Sequence, residues 1–369
     1  MFDLAVVGAG ILGLAHALTA ARRGLRVVVI DRDAQANGAS VRNFGFVVVT
    51  GQAPGQDRAR AARSRDVWVE VAQAAGIAVE HRGTILVARR HEAMALLEVF
   101  VEDGQAEDCR LLTRTELAAL QPEIDADVME GGLYSPQEVR VDSPLAIPRL
   151  TNHLARSYGV EFRLSTAVTG IAPPVVETSA GPVRAARVVV CPGDDLTGLY
   201  ADRIKARRVT RCKLQMLRLA DPGFRLRAGV LTDLSLLRYG GFAGLPQAAA
   251  LRERLRAEQP DLLANGVHMI AVQCADGSLV LGDSHHYGPT PDPFGSEAVD
   301  GMILSEFAAV FGARPVAVTA RWTGSYSSAN VAAFRDAPHP DVRLVMVTCG
   351  TGASTGFAIG EETVAELFP

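Results

Sequence analysis

Apolar positions in this chain fall into two periods, and the first change between them marks a structural unit. Residues 4–7 (Leu4-Ala5-Val6-Val7) form a continuous apolar run, a helical stretch follows, and residues 27–30 (Val27-Val28-Val29-Ile30) form a second apolar run. Short unbroken apolar runs around a helix read as buried parallel strands, so a βαβ unit is predicted. Its turn is Gly8-Ala9-Gly10-Ile11-Leu12-Gly13. In such a turn Gly8 permits the sharp bend, Gly10 lets a pyrophosphate reach the backbone and Gly13 lets the helix pack closely.

Further along, helical spacing predicts helices at 56–75, 91–101, 145–157 and 247–258, and a final helix after residue 350. Thr113-Arg114-Thr115-Glu116 has the form of a capping box, predicting a short helix to Leu120 that Pro122 ends. Strands are predicted at 83–88, 160–163, 167–171, 175–178 and 187–190, then at 213–219, 268–273, 278–282 and 342–347. The order of these elements predicts an α/β chain with an α+β second domain. A Rossmann-like nucleotide-binding domain takes 1–82, 139–208 and 322–369, and a smaller antiparallel-sheet substrate domain takes 83–138 and 209–321.

Composition narrows the partners. The 369 residues suffice for two cores, and 48% hydrophobic with 21% charged residues is ordinary for a folded globular chain. A formal charge of -4 and no basic run make nucleic acid and anionic membrane unexpected partners. The first strand leaves no room ahead of it for a secretory leader, and no apolar run reaches the roughly 18 residues of a membrane span. Cys109, Cys191, Cys212, Cys274 and Cys349 are scattered and never spaced Cys-x-x-Cys, which fits a reducing cytoplasm and no zinc or iron-sulfur site.

The candidate chemistry gathers on the glycine-rich turns. Asp31 stands 23 residues after Gly8, near the spacing at which a carboxylate accepts hydrogen bonds from an adenosine ribose, with Arg32 beside it. That acid favours FAD or NAD over NADP, and the N-terminal position favours FAD. Gly38-Ala39-Ser40 and then Arg42-Asn43-Phe44 enter a short helix whose N-H groups can face phosphate or a ring edge, or form an ordinary surface loop. Val168 is placed where a strand backbone meets adenine, and Gly193 follows the strand at 187–190. A second turn, Gly350-Thr351-Gly352-Ala353-Ser354-Thr355, aims another helix N-terminus at a ligand, where its dipole stabilises negative charge. Trp322 reads as core or cofactor wall. His285 and His286 are adjacent, but no third ligand stands at a metal-site spacing, so no metal is expected.

Together these segments resemble the glycine oxidase, sarcosine oxidase and D-amino-acid oxidase superfamily of FAD-dependent amine oxidoreductases. The stretches 40–45, 212–217, 281–285 and 321–326 resemble a narrower branch associated with bacterial phosphonate catabolism. The resemblance implies hydride transfer from the carbon beside an amine nitrogen to flavin N5, then imine hydrolysis to an aldehyde and an amine. It implies a small aminoalkylphosphonate substrate, N-methylated or not, with O2 or another electron acceptor. A glycine- or sarcosine-type amino-acid oxidase and a non-catalytic flavoprotein subunit are the alternatives. Sarcosine oxidases attach flavin to a cysteine in the stretch that here runs 322–328 without one, so non-covalent FAD is expected. Their oxygen-activating lysine aligns with Val280, which implies modest reactivity with O2. The resemblance names no catalytic base. Arg42, Lys213, Tyr239, His285, His286, Arg321 and Tyr326 are the candidates for contacts to the substrate's anion and amine.

Overall fold

Strand Phe2–Val7 is the centre of a parallel sheet, with Leu4 opposite Val27 on one side and Arg187 on the other. The computed structural model, which describes residues 1–104 and 108–369, places Val342–Cys349 beyond Val183–Val190 and Glu161–Arg163 beyond Val27–Ile30, all parallel. Helices Ile11–Arg22, Ser143–Tyr158 and Gly352–Leu367 cover one face, where Leu14, Leu18, Leu150 and Phe357 are buried. An antiparallel meander of Val168–Ala172, Val175–Thr178 and the start of Val183–Val190 covers the other. Because both faces are covered, every residue of Val27–Ile30 is buried, which is why the run reads as uninterrupted.

Trp68, on helix Gln56–Ala75, fixes the C-terminal helix from outside. It is 1% exposed, meets the Phe357 ring edge-on at 5.1 Å, and its Nε1 donates to the Ala353 carbonyl at 2.9 Å. Burying an aromatic of this size contributes several kcal/mol, so the first turn of helix Gly352–Leu367 is held in place by packing as well as by a hydrogen bond.

The second layer is a mixed sheet. Thr210–Leu219 runs antiparallel to Leu279–Gly282, His286–Gly288 and Val318–His339, whereas Gly229–Thr232 lies parallel to Val79–Ala88. Strands Val79–Ala88, Gly131–Val141 and Val318–His339 each run through one of the domain boundaries expected from sequence. The last of them has 22 residues and pairs with Thr210–Leu219 in its first part and with Val342–Cys349 in its second, so it belongs to both layers. The capping box at Thr113 and Glu116 has both of its bonds. Helix Glu297–Phe311, which sequence did not predict, buries Val299, Ile303, Phe307 and Val310 in the second layer. No helix among the described residues is long and apolar enough to cross a membrane, and the five cysteines are unpaired.

Candidate active site

Two helix N-termini meet at one cavity. At the first, Gly8 has φ +105°, and a Cβ there would lie 2.4 Å from the Cys191 carbonyl oxygen, so the turn admits no side chain. A Cβ on Gly13 would fall 1.9 Å from the Gly8 carbonyl oxygen, which is how the helix comes so close to the sheet. Backbone N-H groups tie the turn down: Ala9 donates to Asp31 Oδ2 at 2.6 Å, Asp33 to Asp31 Oδ1 at 2.9 Å, and Ile11 to Ser40 Oγ at 2.9 Å.

At the second N-terminus the polar side chains serve the backbone. Ser354 Oγ accepts from the Val48 N-H at 2.9 Å, and Thr355 Oγ1 donates to the Thr351 carbonyl at 3.0 Å. No cationic side chain belongs to this turn.

Between the turns lies a cavity of about 210 Å³ that is partly open to solvent. Its floor is Gly10, Ile11, Leu12 and Gly13 with Gly350, Gly352, Ala353 and Ser354. Ala39, Ser40, Arg42, Asn43, Phe44 and Gly193 form one wall, and Phe46, Val48, Leu214 and Ile270 give the middle an apolar lining.

The end towards the second layer is polar. Tyr239, His285 and Tyr326, candidates from sequence, meet there with Asp283, which sequence placed in the same polar strand end, and with Arg238 and His268, which sequence did not single out. Arg238 donates to the Tyr326 phenol at 2.6 Å and to the Tyr287 phenol at 3.1 Å. Burial works against its charge, but Tyr326, Tyr287 and the Asp283 carboxylate more than offset that and hold the guanidinium above its usual pKa. Burial raises the Tyr239 and Tyr326 phenols, so both remain O-H groups. Ser235, on the short helix Asp233–Leu236 just before Arg238, lies 2.9 Å from His268 Nδ1.

His268 Nε2 is 3.1 Å from Asp283 Oδ1, outside hydrogen-bond alignment, and His285 Nε2 is 3.5 Å from Asp283 Oδ2. Burial raises Asp283, but His285, His268 and Arg238 outweigh it and keep the carboxyl below its ordinary value. Burial pushes His285 down to about 3, so its ring is neutral. His268, Asp283 and His285 bring their ligand atoms within 4.8 Å of one another, a third-ligand grouping that sequence spacing did not show, and a divalent ion there would be opposed by the adjacent guanidinium.

Other expected residues stand elsewhere. Lys213 Nζ donates to the Phe294 carbonyl, His286 Nε2 lies 3.1 Å from Asn265 Oδ1, and exposed Arg321 pairs with Asp300 at 2.7 Å; none of the three lines the cavity. Arg42 lines it, yet its guanidinium donates to Asn37 Oδ1 at 3.0 Å. Trp322 lies just behind the wall, its Nε1 donating to the Arg42 carbonyl at 3.3 Å. Gly8, Asp31 and Gly38 belong to the turns beneath the lining, Arg32 pairs with Asp195 at 2.7 Å, and Val168 pairs with Thr178 in the meander. Val280 is buried in the second-layer core rather than on the cavity wall. Arg238 left one sequence signal, a cation directly after the apolar pair Leu236-Leu237 and before Tyr239.

A dinucleotide fits this cradle. Gly10, Gly350 and Gly352 keep side chains off the floor, and two helix N-termini favour negative charge. A carboxylate oxygen accepts more than one hydrogen bond, so Asp31 can hold the turn and still serve a ribose. The sheet, the glycine turn and the cavity between two helix N-termini define a dinucleotide-binding protein. The chain belongs to the DAO family of FAD dependent oxidoreductases, whose family model matches residues 3–366.

Among curated relatives, the bifunctional protein ThiO/ThiG of Nostoc sp. is 28% identical over 232 residues, 60% of this chain and 34% of that protein. Glycine oxidase of Geobacillus kaustophilus is 26% identical over 220 residues, 56% of this chain and 57% of that one. The matched stretch thus spans about a third of the first relative and just over half of the second. The crystal structure of glycine oxidase from Bacillus cereus shares the fold, with a TM-score of 0.80 at 17% identity, covering 100% of this chain and 95% of that one.

Proposed function

We propose that this chain oxidises a small amine carrying an anionic group, by removal of hydride from the carbon beside nitrogen and hydrolysis of the resulting imine to an aldehyde and an amine. Gly10, Gly13, Asp31, Ser40 and the turn at Gly350 and Gly352 would hold FAD, which when bound accepts the hydride. The observation that carries the reading is Arg238. It lines the cavity and bonds two phenols, and no carboxylate among the described residues lies at ion-pair distance from it. A guanidinium held this way is available to a ligand anion.

An aminoalkylphosphonate, N-methylated or not, is our first choice of substrate. Three acceptor oxygens and up to two charges suit one guanidinium with the separate phenols of Tyr239 and Tyr326. The relative named glycine oxidase favours a second reading, a carboxylate amine, and a singly charged carboxylate also matches a single guanidinium. Anaerobic bleaching of the flavin, followed by kcat/KM for 2-aminoethylphosphonate, its N-methyl form, glycine and sarcosine, tests both. Higher values for glycine or sarcosine remove the phosphonate, and no bleaching with any amine leaves a flavoprotein subunit without turnover.

A further inference from the structure

We propose that Asp283 receives the substrate's ammonium group and takes its surplus proton, making the polar end of the cavity a site for a zwitterion with the anion on Arg238 and the amine on Asp283. The inference rests on the amine-oxidation reading above.

The argument begins with hydrogen-bond accounting. Asp283 is 5% exposed and lines the cavity, and its Oδ1 faces one nitrogen, His268 Nε2 at 3.1 Å in poor alignment, so its remaining acceptor capacity is open to the cavity. A buried carboxylate left short of donors is costly, and a cation or a proton relieves that cost. Its other oxygen faces His285 Nε2 at 3.5 Å, and that nitrogen has no hydrogen to give. The reason is the tautomer: His285 Nδ1 lies 2.8 Å from the Gly266 carbonyl, which only accepts, so in a neutral ring the proton is on Nδ1. Two acceptors therefore face one another in the wall of the cavity.

The groups around Asp283 are Arg238, Tyr239, Cys212, His268 and His285. Arg238 lies in the same field but spends its hydrogen bonds on tyrosines, so Asp283 is not consumed in an ion pair with it. An aminoalkyl anion reaches the enzyme at neutral pH with its nitrogen protonated, and no hydride can leave the neighbouring carbon until the lone pair is free. At Asp283 the N-H bond breaks and its electron pair stays on nitrogen. The proton comes to lie between Asp283 Oδ2 and His285 Nε2, turning two facing acceptors into a donor and an acceptor. His285 and His268 lower Asp283 more than Arg238 does, and burial lowers His285 most; an anion docked on Arg238 offsets the guanidinium's share, so the pair becomes a somewhat better base once the substrate's own anion is seated.

The test uses the FAD-loaded enzyme. Asp283→Asn is expected to lower kcat/KM about 10²- to 10⁴-fold at pH 7, with the loss shrinking towards unity as pH passes the amine's own pKa near ~10. Asp283→Glu, which keeps the charge, should retain the wild-type pH profile. Binding of methylphosphonate or acetate, read from the flavin absorbance, should be retained or tightened by Asp283→Asn, which removes a negative charge near Arg238, and weakened by Arg238→Met. A loss that is the same at every pH, or an equal loss of affinity for the amine-free anions, overturns the role of Asp283. Anion affinity that Arg238→Met leaves intact overturns the substrate reading, and this inference with it.

Discussion

Arg238 reaches the phenol of Tyr326 at 2.6 Å, linking a residue that follows a short second-layer helix to the strand both layers share. If this pair presents the guanidinium to the substrate, Arg238→Met should reduce kcat/KM about ten- to a hundredfold, the equivalent of one charged hydrogen bond of about 1.5–3 kcal/mol. Arg238→Lys should recover only part, because the planar fork is lost. Tyr326→Phe should cost less than Arg238→Met. Steady-state kinetics on the best amine decides the ranking, and wild-type values in Arg238→Met would remove Arg238 from the site.

FAD should be released by acid. Cys191 and Cys349 are the cysteines in the cavity wall, and burial raises both thiols. A thiol kept protonated is a poor nucleophile towards a flavin ring. After acid precipitation the yellow colour is expected in the supernatant, and colour in the pellet would indicate a covalent bond. Asp31→Ala should weaken FAD by about 1–3 kcal/mol, measured by fluorescence quenching on reconstitution of the apoprotein.

Acid should destabilise the fold earlier than carboxylate titration alone would. Burial pushes His16 and His81 down to about 4, against 6.5 for the unbonded side chain. Between those values the unfolded chain binds more protons than the folded one, so stability present above pH 6.5 is lost as pH falls towards 4. Each shift is equivalent to about 3 kcal/mol. His81 Nε2 accepts from the Gln273 N-H at 2.7 Å, so its protonation also removes an acceptor. His81→Gln, which keeps an acceptor without a titration, should flatten the fall of Tm between pH 6.5 and 4; an unchanged slope would remove His81 from the account.

Asp233 is fully buried, and its Oδ2 accepts from Arg90 at 2.8 Å. Asp233→Ala leaves Arg90 with only the half-exposed Glu258 at 2.7 Å, so it should cost about 2–4 kcal/mol in urea unfolding, somewhat less than full loss of a buried partner. Arg90→Met with Asp233→Leu should cost less than Asp233→Ala alone. Because Asp233 opens the helix that carries Ser235 and leads to Arg238, kcat/KM should fall with it.

The nucleotide half was legible because its signals are local. A buried parallel strand is apolar at every position, a glycine turn is written in consecutive residues, and Thr113 and Glu116 declare their helix within four positions. Helix Glu297–Phe311 was hidden because two of its buried positions are acids, Asp300 paired with Arg321 and Glu306 with Arg89, and these break the apolar stripe. The polar end of the cavity was legible only in pieces. Tyr239, His285 and Tyr326 drew notice, but Asp283 with His268 is a pairing across strands that no local spacing records. Lys213 and Arg321 showed the converse: a cation in the right segment can point to a carbonyl or an acid outside the cavity.

The strand Val318–His339 also bears on how such proteins can diversify. Recombination between relatives is simplest where a module begins and ends in unpaired chain. Here an exchange made between residues 321 and 322 would sever one strand that completes both sheets and that contributes Tyr326 to the cavity. A substrate layer borrowed from another family member would have to bring this whole strand with it, and the borrowed strand would have to match Val342–Cys349 in register. Point changes in the cavity lining disturb this register less than trading the layer as a cassette would.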